Sequence, residues 1–489
     1  HGSQLYQPIE AATTCVIILL VTMRVFGFPW RAVLLAVFVA LVVAALQAPL
    51  RLAWLLHQGA YFETHKEYTR AIAAYEQALE LRSQVTSHLR IGEIYLAQGR
   101  YELAKEAFQE AYRLDPKEEA ALLGLGSVAA AMGDEEEAME RWMEVLTLDE
   151  TNAEAHYRLG RAYICRSQWS SAQEELEKAA RYGEGEARFY LGLLLAREDR
   201  ELATLHLQEV VERESALAEG AAEVISILEG LTGEEASVAA KLGHIYLGCE
   251  LPTLAQEQLT KAVSLDPEQH LARSYLGYTL WSLGEYEEAR GVLREALRLD
   301  PHSPLNYYFL ALLHRSKGYP EVALLEFQKA LRLDPDNAAI CAEMATTYLK
   351  ERDYLAARKW YRAAVERAPR EVEFHLLRAE FHLEHLLWLE DGLAAAQMAV
   401  ALDSQNGVAY GLLGWAQYLL QRPEARASLE KAVALDPESA RAHYHLGLAY
   451  AQEGLNDMAR WAYERAIDLD TEGLYRERAQ KALKELVHQ

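Results

Sequence analysis

The sequence predicts an all-α fold in which pairs of helices stack into a superhelix. Proline recurs after Leu-Asp or a related pair, and Pro267, Pro301, Pro335 and Pro369 lie 34 residues apart. Each interval contains two apolar helical stretches joined by a turn. The chain is 51% hydrophobic and 25% charged, which indicates a folded protein rather than a disordered one. One helix pair cannot bury its own apolar face, so neighbouring pairs must stack.

The charge of the chain limits its partners. Lys and Arg number 49 against 73 Asp and Glu, a formal net charge of -24. Nucleic acid is therefore an unfavourable partner, because phosphate binding requires an excess of basic residues. Basic or apolar protein segments are favoured instead. Four cysteines in 489 residues exclude a disulfide scaffold.

The first fifty residues differ in composition from the rest. Residues 1–9 form a leader, of which residues 1–3 read as a tag remnant. Residues 10–50 are predicted to form a transmembrane helical hairpin, because the nineteen nearly apolar residues 32–50 would reach about 28 Å as a helix. The alternatives are one membrane helix preceded by an amphipathic arm, a cleaved signal peptide, and a buried soluble helix pair.

Positive charges give a narrow preference for the orientation of that hairpin. Arg51, Lys66 and Arg70 follow the second apolar segment, whereas Arg24 and Arg31 flank the turn. Positive residues favour the cytoplasmic side. We therefore expect both ends of the hairpin, and the repeats, on the cytoplasmic side of a membrane, which we take to be a bacterial inner membrane.

Small, large and proline residues recur together inside each period. Small residues at the eighth, twentieth and twenty-seventh positions let two helices approach closely, and a large residue at position 24 fills the remaining space. These positions are Gly92, Ala104, Phe108, Ala111 and Pro116 in one repeat, Gly277, Ala289, Ala296 and Pro301 in another, and Gly447, Ala459 and Ala466 in a third. The pattern resembles the tetratricopeptide repeat (TPR), which implies an α-solenoid of helix-turn-helix units. Proline should end each second helix, and the preceding Asp should cap the next helix.

Twelve repeats follow the hairpin. Repeats 1–5 occupy residues 51–217 and repeats 6–12 occupy residues 236–473. The period breaks at residues 218–235, which we interpret as a spacer helix that restores the stacking or as a hinge between the two blocks. Residues 474–489 should form an amphipathic C-terminal capping helix. Its apolar residues are Leu474, Leu483, Leu486 and Val487.

The sequence contains no pattern typical of catalysis. It has no nucleophile elbow, phosphate-binding glycine loop or HExxH motif, so we expect no enzymatic activity, cofactor or metal. Two imidazoles three residues apart can share a helix face and bind a metal, and His375, His382 and His385 are spaced at seven and three. The favoured interpretation is that His382 fills a packing position that other repeats fill with tyrosine.

Resemblance to the TPR family implies that the first helices line a concave groove where peptides or partner helices bind. Positions 5 and 9 of each repeat are the expected contact positions, although some of these side chains should belong to the core. The candidates are Tyr157, Arg161, Ser274, Tyr278, Tyr308, Leu312, Leu376, Glu380, Tyr444 and Leu448. Aromatic residues among them favour protein partners. The paired Lys and Asn of the chaperone-tail-binding subset of the family are missing.

These observations predict a non-catalytic, membrane-anchored scaffold. It would bind protein partners in its groove and help assemble or recruit a multiprotein complex at a membrane. The alternative is an accessory subunit of a membrane-bound enzyme or export machine, for example one for envelope polysaccharide synthesis or secretion. Such a subunit would present substrate or regulate the catalytic subunit, and the hairpin would contact other membrane subunits.

Overall fold

The computed structural model describes residues 49–487, apart from residues 66, 214, 231–233, 386 and 471–472. Within this part the chain forms 26 α-helices and no β-strand. In chain order they are α1 (49–64), α2 (Tyr68–Leu81), α3 (Val85–Ala97), α4 (Tyr101–Leu114), α5 (Glu119–Ala131), α6 (Glu135–Leu148), α7 (Ala153–Cys165), α8 (Trp169–Tyr182), α9 (Ala187–Leu195), α10 (Arg200–Glu212), α11 (Ala218–Gly230), α12 (Glu235–Gly248), α13 (Pro252–Leu265), α14 (His270–Ser282), α15 (Tyr286–Leu299), α16 (Pro304–Ser316), α17 (Pro320–Leu333), α18 (Ala338–Lys350), α19 (Tyr354–Arg367), α20 (Val372–Glu384), α21 (Leu389–Leu402), α22 (Gly407–Leu419), α23 (Ala425–Leu435), α24 (Ala440–Gln452), α25 (Asn456–Leu469) and α26 (Leu474–Val487).

The helices follow the predicted order. Five pairs, α1–α10, come first, the single helix α11 follows, seven pairs form α12–α25, and α26 ends the array. The predicted all-α solenoid is confirmed.

Close packing within a pair depends on the small residues of the period. A Cβ atom added to Gly277 would lie 2.5 Å from Leu293 Cγ, and one added to Gly92 would lie 2.8 Å from the ring of Phe108. Among the predicted packing residues, the buried ones are Gly92, Ala104, Phe108, Ala111, Gly277, Ala289, Ala296, Gly447, Ala459 and Ala466, and the exposed ones are Pro116 and Pro301. Glycine therefore determines how closely the two helices approach.

The Leu-Asp-Pro segment ends one helix but does not cap the next as predicted. In the form it takes after α6, Asp149 Oδ1 accepts a hydrogen bond from the backbone N–H of Thr151 at 2.9 Å, so this side chain stabilises the turn. The cap lies three residues later, where Asn152 Oδ1 accepts from the backbone N–H of Ala155 at 2.9 Å. The prediction that the aspartate caps the next helix is wrong, because the aspartate lies three residues before the capping position and its carboxylate bonds within the turn.

In ten of the helix pairs that the structure describes, the turn between the two helices contains a residue with positive φ. The glycines at this position include Gly99, Gly133, Gly284, Gly318 and Gly454, and the other residues are Ser167, Glu250, Arg352, Trp388 and Gln421. Most of these positions lie 33 or 34 residues from the next, so the period is also present in the backbone. A left-handed conformation is costly for a residue with a side chain.

The chain divides into two compact units. The first contains residues up to Asp134 together with Pro437–Ala440 and the residues from Trp461 onward. In it, Arg100 Nη1 donates to the backbone carbonyl of Asp468 at 2.5 Å, so helices from both ends of the chain share one unit.

The predicted capping helix also belongs to this first unit. In α26, Ala479 and Leu486 are buried, whereas Leu474 is 49% exposed. The capping role predicted for Leu474 is therefore wrong, because the first turn of α26 points this side chain outward. Arg476 stabilises that turn instead. Its backbone N–H donates to Asp470 Oδ2 at 2.7 Å, and its Nη2 donates to the backbone carbonyl of Asp470 at 2.9 Å.

The second unit contains Glu135–Asp436 and Arg441–Arg460 and has a continuous core around α11. Val224 and Leu228 of α11 are buried in that core. Beyond α11, the Tyr246 hydroxyl donates to the carbonyl of Leu193 at 2.7 Å, and Thr253 Oγ1 donates to the carbonyl of Ile164 at 3.0 Å. The helices before and after α11 are therefore in direct contact. The hinge at 218–235 stays a prediction.

The predicted transmembrane hairpin, residues 10–50, lies outside the described residues except for residues 49 and 50 in α1. None of the described helices combines the length and the apolar composition needed to cross a membrane.

Candidate protein-binding face

The first helices of successive repeats touch each other directly in the second unit. The ring of His244 in α12 lies 4.7 Å from that of Tyr275 in α14, and Tyr275 lies 6.2 Å from Phe309 in α16. Tyr275 and Phe309 lie one period of 34 residues apart, so equivalent positions of α14 and α16 come together. We call the surface made by the first helices of the second unit, from α7 to α24, the first-helix face.

Five aromatic residues of α14 and α16 form a cluster on this face: Tyr275, Tyr278, Trp281, Tyr308 and Phe309. Tyr278 lies 4.8 Å from Phe309 and 5.4 Å from Trp281, and Tyr308 lies 5.9 Å from Phe309. Phe309 is buried, whereas the other four are half-buried. The indole N–H of Trp281 donates to Ser316 Oγ at 2.9 Å. This aromatic cluster therefore presents ring surface that is already held in place.

An ion pair borders the aromatic cluster. Arg315 Nη1 of α16 lies 2.5 Å from Glu343 Oε2 of α18 and 3.4 Å from Thr347 Oγ1. Burial, reinforced by the nearby Glu343 carboxylate, raises the pKa of Tyr308 to about 12. The Tyr308 hydroxyl therefore keeps its proton at neutral pH and can donate a hydrogen bond to a partner.

In a second group, two predicted residues, Tyr157 and Arg161, lie on α7 and contact Glu186 and Tyr190 of the next repeat, which were not predicted. The Tyr157 hydroxyl donates to Glu186 Oε2 at 2.7 Å, and the Arg161 guanidinium lies 4.8 Å from the centre of the Tyr190 ring. Burial, together with the bond to Glu186, raises the pKa of Tyr157 above its usual value. Only 7% of Tyr157 is exposed, so Arg161 and Tyr190 present more surface than Tyr157 does.

A third group links repeats that are not neighbours. Arg441 Nη1 of α24 lies 2.5 Å from Glu380 Oε1 and 3.5 Å from Glu384 Oε1 of α20, and the first helix α22 belongs to the repeat between them. On α22, Trp415 stacks on His445 of α24 with ring centres 4.0 Å apart. The ion pairs of Arg441 with Glu380 and Glu384 therefore join the first helices of the tenth and twelfth repeats, across the first helix of the eleventh.

The structure distributes the remaining candidates between core and surface. Ser274 and Leu312 are buried, at 0% and 7% exposure, and Ser274 Oγ donates to the carbonyl of His270 at 2.7 Å. Leu376, Tyr444 and Leu448 are half-buried. The candidates that the structure brings together are Tyr278 with Tyr308, and Tyr157 with Arg161.

Sequence reasoning missed Trp281, Arg315 and Glu343. Trp281 and Arg315 both occupy position 12 of their repeats, one turn after the positions we selected. Their large side chains at a recurring position were a usable signal. The ion pair with Glu343 was not predictable from spacing within one repeat, because it joins two repeats.

The predicted histidine group makes backbone contacts. His375 Nε2 donates to the carbonyl of Pro369 at 2.9 Å, and His382 Nδ1 donates to the carbonyl of Leu387 at 3.1 Å. His385 lies 5.1 Å from the Tyr354 ring. In the described part of the chain, no three His, Cys, Asp or Glu residues come close enough to hold a metal ion.

Comparison with known families identifies the repeat. Sequence profiles described as "Tetratricopeptide repeat" or "TPR repeat" match residues 89–155, 241–304, 315–381, 421–454 and 440–472, which together span about half of the chain. With the helix pairs described above, these matches show that the chain belongs to the tetratricopeptide-repeat family. No sequence among the curated proteins matches it.

Solved structures with related repeats share low identity. The crystal structure of the yeast Tom70 is 20% identical over 89% of this chain and 95% of that chain, with a TM-score of 0.37. The Cut9–Hcn1 hetero-tetramer of APC/C is 14% identical over 89% and 96%, with a TM-score of 0.37. YrrB, described as a TPR protein with an unusual peptide-binding site, is 23% identical over 38% and 95%, with a TM-score of 0.32. The family assignment therefore depends on the repeat profiles.

Proposed function

We propose that this chain is a non-catalytic, membrane-tethered scaffold that binds protein segments on its first-helix face and helps assemble or recruit a multiprotein complex. The observation that carries the proposal is the aromatic cluster on α14 and α16. Four of its five rings are half-buried, so each keeps surface for a partner while its position is fixed by neighbours. Fixed rings lose little conformational entropy on binding and are frequent hot spots.

Charge favours a particular kind of segment. The chain carries a formal net charge of -24, and Glu343 lies beside the aromatic cluster. Glu343 is already paired with Arg315, so a segment with apolar side chains for the rings and basic residues that meet the net negative charge of the chain would complement this surface. We therefore propose an apolar and basic segment of another protein as the ligand.

The membrane part of the proposal depends on the apolar sequence of residues 10–50. We propose that this segment tethers the repeats to the cytoplasmic side of a bacterial inner membrane. The accessory-subunit alternative differs in its partner, which would be a catalytic membrane subunit present in equal amount.

The aromatic cluster is tested with a random peptide library displayed against the full chain. We expect enrichment of peptides that combine aromatic or aliphatic with basic residues, and loss of their binding in the double variant Tyr278→Ala and Tyr308→Ala. Tyr319→Ala is the matched control, because this tyrosine is 57% exposed and lies outside the cluster. Equal peptide binding by the double variant and the control would refute the assignment of the face.

The tether is tested by purifying the full chain in mild detergent beside a chain that begins at Arg51. Membrane proteins retained only by the full chain would show that residues before Arg51 contact a membrane complex. A single catalytic subunit retained in equal amount would favour the accessory role. Identical partners and identical membrane recovery for both chains would refute the tether.

A further inference from the structure

One repeat has a charged residue at a position that is otherwise part of the core. The residue before the small eighth position is buried and apolar in ten of the twelve repeats. These residues are Ile91, Leu125, Leu159, Leu191, Leu242, Leu276, Leu310, Met344, Leu413 and Leu446. In the tenth repeat this position is Arg378, on α20. Arg378 is half-buried rather than buried, and the part of its side chain that is removed from water is costly for the fold unless it interacts with something.

The described part of the protein offers Arg378 little compensation. Its Nε is buried without a hydrogen-bond partner, and within the described residues its guanidinium forms no hydrogen bond or ion pair. Burial lowers the pKa of Arg378, the nearby Asp391 carboxylate opposes this effect, and the positive charges of Arg362 and Arg358 lower the pKa further. The packing of the repeat therefore does not account for a charge at this position.

Arg378 lines a cavity of about 510 Å³ between α19, α20 and α21. Three further cations line the same cavity, Arg358, Lys359 and Arg362, against the two carboxylates of Glu366 and Asp391. The cavity is thus locally positive in a chain whose net charge is -24. Such a concentration of cations indicates an anionic ligand.

The four cations differ in how they are held. Arg358 is fixed, because its Nη2 and Nε lie 2.6 and 3.1 Å from Asp391 Oδ2 and its guanidinium lies 4.6 Å from the Trp388 ring centre. Arg362 pairs with Glu366 at 2.7 Å, but both side chains are more than half exposed, so this pair is weak. Lys359 is exposed and has no ion pair among the described residues.

We propose that this cavity binds a phosphate group, with Arg378, Arg362 and Lys359 as its direct ligands. A guanidinium group can donate two parallel hydrogen bonds to phosphate oxygens. Three cations also balance the charge of a phosphate dianion better than they balance the single charge of a carboxylate. The cavity is much larger than one phosphate, so the group belongs to a larger molecule. That molecule is a soluble phosphorylated metabolite or a phospholipid with an exposed phosphate.

The test uses the full chain in a non-ionic detergent, with inorganic pyrophosphate as the probe and calorimetry as the measurement. We expect one binding site, and Arg378→Leu should weaken it by roughly tenfold or more. The same substitution restores the apolar residue of the other repeats and should raise the Tm. Loss of binding together with a higher Tm identifies a ligand-binding arginine, whereas a purely structural arginine would give a lower Tm and unchanged binding.

Arg294→Gln is the matched control, because Arg294 lies two periods before Arg362 on α15 and is exposed. It should leave pyrophosphate binding unchanged, while Arg362→Gln should weaken it. Arg378→Gln is the second variant if the leucine substitution impairs folding. Failure of the wild-type chain to bind pyrophosphate at millimolar concentration, or equal affinity in Arg378→Leu, would overturn the proposal.

Two further probes separate the sources of phosphate. Dihexanoyl phosphatidic acid represents the lipid, and a sugar phosphate represents the soluble metabolite. Tighter binding of either, lost in Arg378→Leu, supports the site and identifies its source. Binding of both that is insensitive to Arg378 would contradict it.

Discussion

Contact between the two helices of a repeat depends on single residues. Gly277 faces Leu293 sixteen residues later, and Gly92 faces Phe108 at the same separation. In both pairs the larger side chain occupies the volume that a Cβ atom would need, so the two positions form one packing unit.

Adding a methyl group at Gly277 should therefore destabilise the protein. We expect Gly277→Ala to lower the free energy of unfolding by about 1–3 kcal/mol, because its Cβ would overlap Leu293 Cγ at 2.5 Å. Denaturant unfolding measures the change. In the double variant with Leu293→Ala, the combined loss should be smaller than the sum of the single losses.

Gly291 is the matched control for that substitution. It lies in α15, and a Cβ atom there would meet nothing within 4 Å. Gly291→Ala should raise the free energy of unfolding by about 0.5–1 kcal/mol, because alanine favours the helix. Equal destabilisation by both substitutions would contradict the packing explanation.

The left-handed turn position gives a second prediction at the residue scale. Arg352 has φ 60°, whereas Gly318, one period earlier, has φ 78°. We expect Arg352→Gly to stabilise the fold by about 1 kcal/mol and Gly318→Ser to destabilise it by a similar amount. Thermal unfolding of the two variants measures this, and a loss of stability in Arg352→Gly would contradict it.

At the scale of one element, α20 contains a buried histidine. His382 is fully buried, and its position is occupied by Tyr348 one period earlier. Burial lowers the pKa of His382 to about 4, and the charge of Asp391 only partly opposes this. The imidazole is therefore neutral in the folded protein at neutral pH.

This histidine should make stability depend on pH. The folded pKa lies below the unfolded value of about 6.5, so the unfolded chain binds the proton first. The stabilisation is complete above about pH 6.5 and is lost as pH falls towards 4, by up to about 1.4 kcal/mol per pH unit. His382→Tyr should make this loss less steep in unfolding measured between pH 7 and 4. Parallel curves for the variant and the wild type would contradict the assignment.

The 34-residue period predicted which helices form, but it did not predict every contact that a residue makes with another repeat. Twelve helix pairs, α11 and α26 were predictable because each repeat contains its own packing and turn signals. The burial of Ser274 and Leu312 was not, because it depends on how closely adjacent first helices approach. Arg378 was detectable, since comparing position 7 across the repeats shows the exception directly.

At the scale of the whole molecule, the array ends in α26. Removing residues 474–489 would expose the surface that Ala479 and Leu486 cover. We expect this deletion to lower solubility or promote oligomers, because the uncovered end of a repeat array is apolar. Light scattering after size-exclusion chromatography measures this. A deletion variant that stays monomeric and soluble would contradict the capping role.

The hydrogen bonds from Tyr246 and Thr253 to the carbonyls of Leu193 and Ile164 bear on how the second unit resists force. An array whose repeats touch only their neighbours would unravel one repeat at a time when pulled from its ends. Here α13 is hydrogen-bonded to the last turn of α7. Neither helix can therefore unfold under force without breaking its contact with the other. Stretched in an optical trap, residues 153–265 should lengthen in one large step rather than in a series of small equal ones.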